Sequence, residues 1–242
     1  MATAKPSLPT PVPAFGWIAR LLHGSDSFYP TGSYAHSFGL EGLTHEGVVR
    51  DREGLRAFLS EYALPPLATT DLPIAAHAYD AAGADPVNWE KLRQLCFLGS
   101  ALRGTREPRE ASEAIGRQRL DLAALLHGGV AAEFNQRATA GDWPRPASVA
   151  AAMEGISIGA PREAVLSAMV YAAAAGMISA AVKLLRLGQN ALHSLLAEVL
   201  AQTPALVSRA LAVDLDAIGT FNPWWDIASA RHEHADFRLF IS

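Results

Sequence analysis

The sequence predicts an all-α protein with a single domain of roughly eight to eleven helices. Apolar residues recur every three or four positions along most of the chain. No segment alternates apolar and polar residues over the length of a strand, and no Asn-Gly or Asp-Gly hairpin turn occurs. The chain shows no internal repeat and no interdomain linker, so residues 14–230 are expected to form one domain.

Capping and breaking residues divide the N-terminal half into five expected helices. Gly47 is a suitable left-handed cap for the end of the second helix. Asp51 is expected to cap the start of the third, which Pro65-Pro66 should end. Asp85 before Pro86 predicts the start of the fifth. The five helices are expected at 15–23, Tyr34 to Gly47, Asp51 to Pro65, 70–82 and Asp85 to Leu102.

Helical spacing continues through the C-terminal half. A charged helix is expected from Arg106 to His127, ended by Gly128-Gly129. Its expected apolar face consists of Ile115, Leu122, Leu125 and Leu126. Pro161 should open a long central helix, and two further helices are expected at 188–201 and 205–217.

The uncharged stretch from Ala164 to Val182 could be read as a membrane span. A spanning helix needs about 20 strongly apolar residues. This stretch is mostly alanine and is interrupted by Ser167, Gly176 and Ser179. We therefore expect a buried core helix and no membrane association.

Composition excludes several classes of protein. The net charge is −4, so no basic excess exists to follow a phosphate backbone, and nucleic acid is not expected as a partner. Cys96 is the single cysteine, which rules out an intrachain disulfide and a cysteine-based zinc site and fits a reducing compartment. Residues 1–13 contain four prolines and no continuous apolar run, so they are expected to form a disordered arm, not a signal peptide. The expected location is the cytoplasm.

The last twelve residues, 231–242, combine two arginines with Phe237, Leu239, Phe240 and Ile241. Leaving four apolar side chains in water is costly, at about 25 cal/mol per Å². They therefore either fold back onto the core of this chain or bind a partner. We interpret the segment as a partner-docking tail.

Residues 35–39 nearly match the nucleophile elbow G-x-S-x-G, with alanine in place of the first glycine. That elbow needs a strand running into the serine, here Ser37. Residues 28–33 instead have the composition of a loop. A helix N-terminus is the preferred interpretation, and a serine hydrolase using Ser37 and His36 is the alternative.

His232 and His234 suggest a metal site, and a nickel-binding metallochaperone is a further alternative. Residues two apart on a helix point to different faces. In an extended tail the two could share a side, but no Asp/Glu/His cluster completes a coordination sphere. The sequence also lacks a P-loop, a dinucleotide-binding glycine pattern, H-E-x-x-H and an EF-hand loop. No metal, cofactor or catalytic residue is expected.

Three ordered motifs stand out, at Ser25 to Glu41, at Lys183 to Gln189 and in the tail from Arg231 to Ser242. Together they make the chain resemble the urease accessory protein UreF family from about Ala14 onward. Ser25 to Glu41 is similar to the family pattern S-D-x-x-x-P-x-G-x-Y-x-H-S-x-G-L-E, and Lys183 to Gln189 to R/K-L-x-x-L-G-Q. Arg231-His232-Glu233 and Arg238 to Ser242 are similar to the family's R-H-E and R-L-F-x-S. The chain departs from the family at Thr31, Ala230 and Asp236-Phe237.

The resemblance implies an all-α homodimer without enzymatic activity, which binds UreD (also called UreH) and recruits the GTPase UreG to deliver nickel to apo-urease. Tyr34 and Arg238 look like contributors to the GTPase-recruiting surface, and the tail from Arg231 looks like the segment that orders when UreD binds. The expected partner-binding residues are Tyr34, His36, Ser37, Glu41, Arg231, His232, Glu233, Arg238, Leu239 and Phe240.

Overall fold

A computed structural model describes residues 15–32, 36–37, 39–221 and 240. Over these residues the chain is helical and contains no strand, which confirms the predicted fold class. Nine of the helices in these ranges have nine residues or more, within the expected number. The helices are α1 (Gly16–Ser25), α2 (Leu40–His45), α3 (Arg52–Ala57), α4 (Leu64–Leu67), α5 (Asp71–Gly83), α6 (Trp89–Ala101), α7 (Arg106–His127), α8 (Gly129–Ala140), α9 (Ala147–Ser157), α10 (Arg162–Leu184), α11 (Gln189–Leu200) and α12 (Thr203–Leu211), with a π-helical segment at Phe58–Ala63 and a 3₁₀ turn at Leu215–Ala217.

The core is built around α9, which packs against both α5 and α7. Apolar side chains from α2 through α12 form one continuous buried cluster. A smaller cluster around Ile158, Ala160 and Val165 is covered by Trp17 and Leu21 of α1. Helix α1 thus lies over one side of the core.

Helices α8 and α9 were not expected from the sequence. Every residue of α9 from Ser148 to Gly155 is buried, so this helix has no polar face. A helix surrounded by other helices gives no 3.6-residue alternation for a sequence pattern to detect.

Two glycines let backbone segments approach closely in the core. A Cβ atom at Gly116 of α7 would lie 1.8 Å from the carbonyl oxygen of Arg145. One at Gly155 of α9 would lie 2.3 Å from Cγ2 of Val165 in α10. Neither position has room for a larger residue without displacement of its neighbour.

Helix α10 follows Pro161, as predicted, and contacts α1, α2, α5, α9, α11 and α12. Within the described residues it is the one helix long and apolar enough to cross a membrane, and 44% of its most apolar window is buried in the protein. One face therefore packs in the core, while Tyr171 and Val182 lie on the exposed side.

The cap predictions for the second and third helices are confirmed. Gly47 adopts the left-handed conformation, with φ of 68°. The Asp51 side chain accepts a 2.8 Å hydrogen bond from the N–H of Gly54. Each residue satisfies backbone groups that the end of a helix would otherwise leave unpaired.

Three predicted boundaries were wrong. Helix α2 begins at Leu40, not near Tyr34, because Gly39 has φ of 83° and His36 and Ser37 precede the helix. Pro65 and Pro66 do not end the third helical region, since they lie in the first turn of α4, where the missing proline N–H removes no helical hydrogen bond.

The third boundary concerns α6, which is capped by Asn88 and not by Asp85. The Asn88 side chain accepts from the N–H of Lys91 at 3.0 Å. Asp85 and Pro86 precede the helix, which begins at Trp89, and the peptide bond between them is cis.

Helix α7 has the predicted bounds but not the whole predicted apolar face. Ile115 is buried, whereas Leu125 and Leu126 are 79% and 48% exposed. Leu120 and Ala123 are buried in their place. The buried stripe runs through 112, 116, 120 and 123, and positions 125 and 126 turn away from it.

Candidate partner-docking site

One described residue from each of the three sequence motifs lies at the same place in the fold. The backbone N–H of Phe240, in the tail, donates a 3.2 Å hydrogen bond to Oε2 of Glu41, in the first motif. The ammonium of Lys183, in the second motif, lies 5.2 Å from the centre of the Phe240 ring. A cation at this distance from an aromatic face is attracted to it. We call Glu41, Lys183 and Phe240 the motif junction.

Glu41 is the polar centre of the motif junction and is only 1% exposed. A buried carboxylate needs compensating donors or positive potential. The Phe240 N–H supplies one donor, and Glu41 also lies in the first turn of α2, where backbone N–H groups favour a negative charge. The junction therefore contains a stabilised buried carboxylate.

His36 and Ser37 lie immediately before α2 and are both buried. The Ser37 hydroxyl oxygen accepts a 3.4 Å hydrogen bond from the N–H of Glu41. Burial lowers the pKa of His36, and the negative charge of Glu107 in α7 opposes that shift only in part. The His36 imidazole is therefore neutral near pH 7. The influence of Glu107 also shows that the first turn of α7 lies near His36.

Phe240 is 5% exposed and belongs to the main apolar core. This corrects the expectation that the apolar tail as a whole is kept for a partner, because the Phe240 ring is covered by its own chain. Burying such a ring stabilises the folded state by about 1.5–3 kcal/mol without a partner. Its expected role as a direct partner contact stays a prediction.

The remaining expected partner-binding residues lie outside the described part of the chain, and their roles stay predictions. This set consists of Tyr34, Arg231, His232, Glu233, Arg238 and Leu239.

The surroundings of Ser37 do not match a nucleophile elbow. Its side chain is fully buried, its oxygen is engaged as an acceptor, and the described residues before it form no strand. The preferred interpretation, a helix N-terminus, agrees with this geometry.

Burial raises the pKa of the Cys96 thiol to about 12, so this residue stays protonated.

No group of three or more His, Cys, Asp or Glu side chains suited to a metal ion occurs among the described residues. His232 and His234 lie outside them.

A second polar cluster connects the first motif to the core, and sequence reasoning missed it. The Tyr29 hydroxyl donates a 2.7 Å hydrogen bond to Oε1 of Glu154 in α9. Nε of Arg119 in α7 donates to the other carboxylate oxygen at 2.5 Å, and Nη2 of Arg119 donates to the carbonyl of Gly24. A signal was present, since Glu154 is the one charged residue in the alanine-rich stretch from Val149 to Ile158.

Burial is the main cause of the pKa shifts of Tyr29 and His127 in this cluster. It raises the pKa of Tyr29, and the hydrogen bond to Glu154 raises it further, so the phenol stays a proton donor. Burial lowers the pKa of His127, whose Nε2 lies 3.9 Å from Oε1 of Glu154. This histidine is therefore neutral near pH 7, and the contact is not an ion pair there. The Glu154 charge is instead balanced by Arg119.

Comparison with known proteins agrees with the motifs. The sequence model of the UreF family matches residues 49–200. The chain is 31% identical over 236 residues to the urease accessory protein UreF of Azorhizobium caulinodans, covering 97% of this chain and 96% of that protein. It is 33% identical over 220 residues to the urease accessory protein UreF of Cereibacter sphaeroides, covering 88% and 92%. This chain therefore belongs to the UreF family of urease accessory proteins.

Proposed function

We propose that this protein is a helical scaffold for urease maturation that binds UreD (UreH) and recruits the GTPase UreG. The assembled complex would carry out GTP-dependent insertion of nickel into apo-urease. In this proposal the chain has no enzymatic activity of its own and acts in the cytoplasm as a homodimer. Membership of the UreF family supports the accessory role.

The observation that carries the proposal is the motif junction. Glu41 and Phe240 are separated by 199 positions in the sequence, yet they are joined by a hydrogen bond in a buried setting. A partner that binds the first motif and the tail would therefore engage a single continuous site. Such a site needs no catalytic group, which fits an assembly role.

The test is co-purification of the full chain with tagged UreD and UreG, compared with the Arg238→Ala variant. We expect the wild type to retain both partners and the variant to lose UreG while keeping its helix content and dimeric state. An arginine that contacts a partner carboxylate in a desolvated site contributes about 2 kcal/mol or more on truncation. Arg93→Ala, a change at a half-exposed arginine of α6, is the matched control.

Two results would contradict the proposal. One is a wild-type chain that associates with neither UreD nor UreG. The other is urease that acquires its full nickel content in cells lacking this protein. Equilibrium dialysis with Ni²⁺ distinguishes the metallochaperone alternative, because a tight stoichiometric site on the isolated chain would favour carriage by His232 and His234 over scaffolding.

A further inference from the structure

We propose that Tyr29, held by Glu154 and Arg119, is a positioning residue for the first motif and thereby for the partner-docking site. We call these three residues the core brace. The expected effect on partner binding rests on the proposed function. The positioning itself is a property of the isolated chain and can be measured without a partner.

Tyr29 is the single buried side chain in the stretch from Asp26 to Pro30, where its four neighbours are exposed. Phe28, the other aromatic residue of this stretch, is 86% exposed. Within these five residues the Tyr29 phenol is therefore the main attachment to the core, and Thr31, directly after them, is buried as well. Removing the attachment of that side chain should release the stretch without disturbing a helix.

Arg119 holds the same stretch from a second direction. Its guanidinium carbon lies 5.7 Å from the centre of the Tyr29 ring, and one of its nitrogens donates to the carbonyl of Gly24. The same side chain bonds to Glu154 through Nε. One arginine of α7 thus connects the end of α1, the Tyr29 ring and the carboxylate of α9.

The chemistry of the core brace favours a positional role over a purely stabilising one. Glu154 is 5% exposed and lies in a helix whose other buried residues are almost all apolar. Burying a charge pair is often no more stabilising than apolar side chains of similar volume. Unlike apolar contacts, its hydrogen bonds are directional, so they fix where the Tyr29 hydroxyl must lie.

The neighbouring groups leave little freedom for other arrangements. A Cβ atom at Gly24 would lie 3.1 Å from Oε1 of Glu154, so a larger residue there would require the carboxylate to shift by a few tenths of an ångström. The His23 ring packs edge-on against Tyr29 at 5.1 Å between ring centres.

The core brace and the motif junction hold the first motif at two separate points. Tyr29 is fixed on the core at one end, and Ser37 and Glu41 are fixed at the other. Tyr34, the expected GTPase-recruiting residue, lies between these points in the sequence. Loosening the first point should therefore weaken partner docking although Glu154 itself is buried in the core, at 5% exposure.

The test compares Tyr29→Phe with Tyr79→Phe. Each change removes one phenolic hydroxyl and one hydrogen bond, since Tyr79 donates to the carbonyl of Ala160 at 2.8 Å. Tyr79 lies in α5, outside the three motifs. Backbone amide hydrogen exchange of residues 25–41 is measured on the full chain, and association with UreD and UreG is measured in parallel.

We expect Tyr29→Phe to accelerate exchange in residues 25–41 about tenfold and to weaken partner association by a similar factor. Tyr79→Phe should leave both at the wild-type level even where the two variants lose comparable thermal stability. Glu154→Gln is the second variant, because it keeps the side-chain size and removes the charge that Arg119 balances. It should accelerate exchange in the same residues.

Unchanged exchange of residues 25–41 in both Tyr29→Phe and Glu154→Gln would overturn the inference. So would faster exchange in Tyr29→Phe combined with wild-type association with UreD and UreG. If the wild-type chain binds neither partner, the proposed function fails while the exchange data still decide whether the core brace positions the first motif.

Discussion

The backbone N–H of Phe240 donates a hydrogen bond to the buried carboxylate of Glu41 across 199 positions of sequence. This bond links the C-terminal tail to the first turn of α2, and the Phe240 ring is buried beside it. A hydrogen bond to a carboxylate and the burial of an aromatic ring therefore together attach Phe240 to the core.

Replacing Glu41 by Gln should weaken the attachment of Phe240. The substitution keeps the side-chain volume and removes the charge, so the hydrogen bond from the Phe240 N–H becomes a weaker neutral one. We expect the free energy of unfolding to fall by about 1–3 kcal/mol, as measured by chemical denaturation. Glu90→Gln, at a carboxylate that is 82% exposed, is the control and should have almost no effect. Equal effects of the two changes would contradict the role given to Glu41.

Phe240→Ala tests whether the buried ring stabilises the folded chain by itself. Truncating a fully buried phenylalanine typically costs about 3–5 kcal/mol. We expect a loss within this range, because the Phe240 ring is only 5% exposed and belongs to the main apolar core. Phe221→Ala, at a ring that is 91% exposed, should change stability by less than about 0.5 kcal/mol. A similar small change for Phe240→Ala would mean that the ring contributes little without a partner.

Acidification should destabilise the protein in part through His127. Burial holds the pKa of His127 below its usual value, with the nearby charges of Arg20 and His23 adding to the shift and Glu154 opposing it. Below about pH 6.5 the histidine of the unfolded chain takes up a proton more readily than that of the folded chain. The stability linked to this group is therefore complete above that pH and is lost as the pH falls through the lowered pKa.

The measurement is the denaturation midpoint of wild type and His127→Gln between about pH 5 and 8. The variant should show a smaller loss of stability on acidification than the wild type. His45→Gln, at an exposed position of α2, is the control. An identical pH dependence for wild type and His127→Gln would show that protonation of His127 does not contribute to the loss of stability on acidification.

Gly116→Ala should be strongly destabilising. The added methyl carbon would lie 1.8 Å from the carbonyl oxygen of Arg145, a backbone atom that cannot move aside like a flexible side chain. Overpacking of this kind costs about 1–3 kcal/mol and sometimes more. Gly104→Ala, where no atom lies within 4 Å of the added carbon, is the control. Thermal denaturation of the two variants should differ by several degrees, and equal melting temperatures would contradict the close approach of α7 to residue 145.

Local signals were sufficient for much of the helical scaffold. The charged pattern from Arg106 to His127 predicted α7 to the residue, and Pro161 correctly marked the start of α10. These features depend on nearby residues, since caps, prolines and helical spacing act within one or two turns. The same locality let the three motifs be recognised from their residue order, before any contact between them was known.

Tertiary structure decided everything that depends on distant residues. It buried Leu120 and Ala123 and left Leu125 exposed, because the neighbours of α7 and not its composition determine which stripe faces the core. It enclosed α9 so completely that no polar face remained to reveal the helix in the sequence. Sequence by itself therefore determined the fold class, most of the helices and the family of this protein. Only the packed chain paired Glu41 with Phe240 and Tyr29 with Glu154, because hydrogen bonds across long sequence separations form where packing brings their groups together.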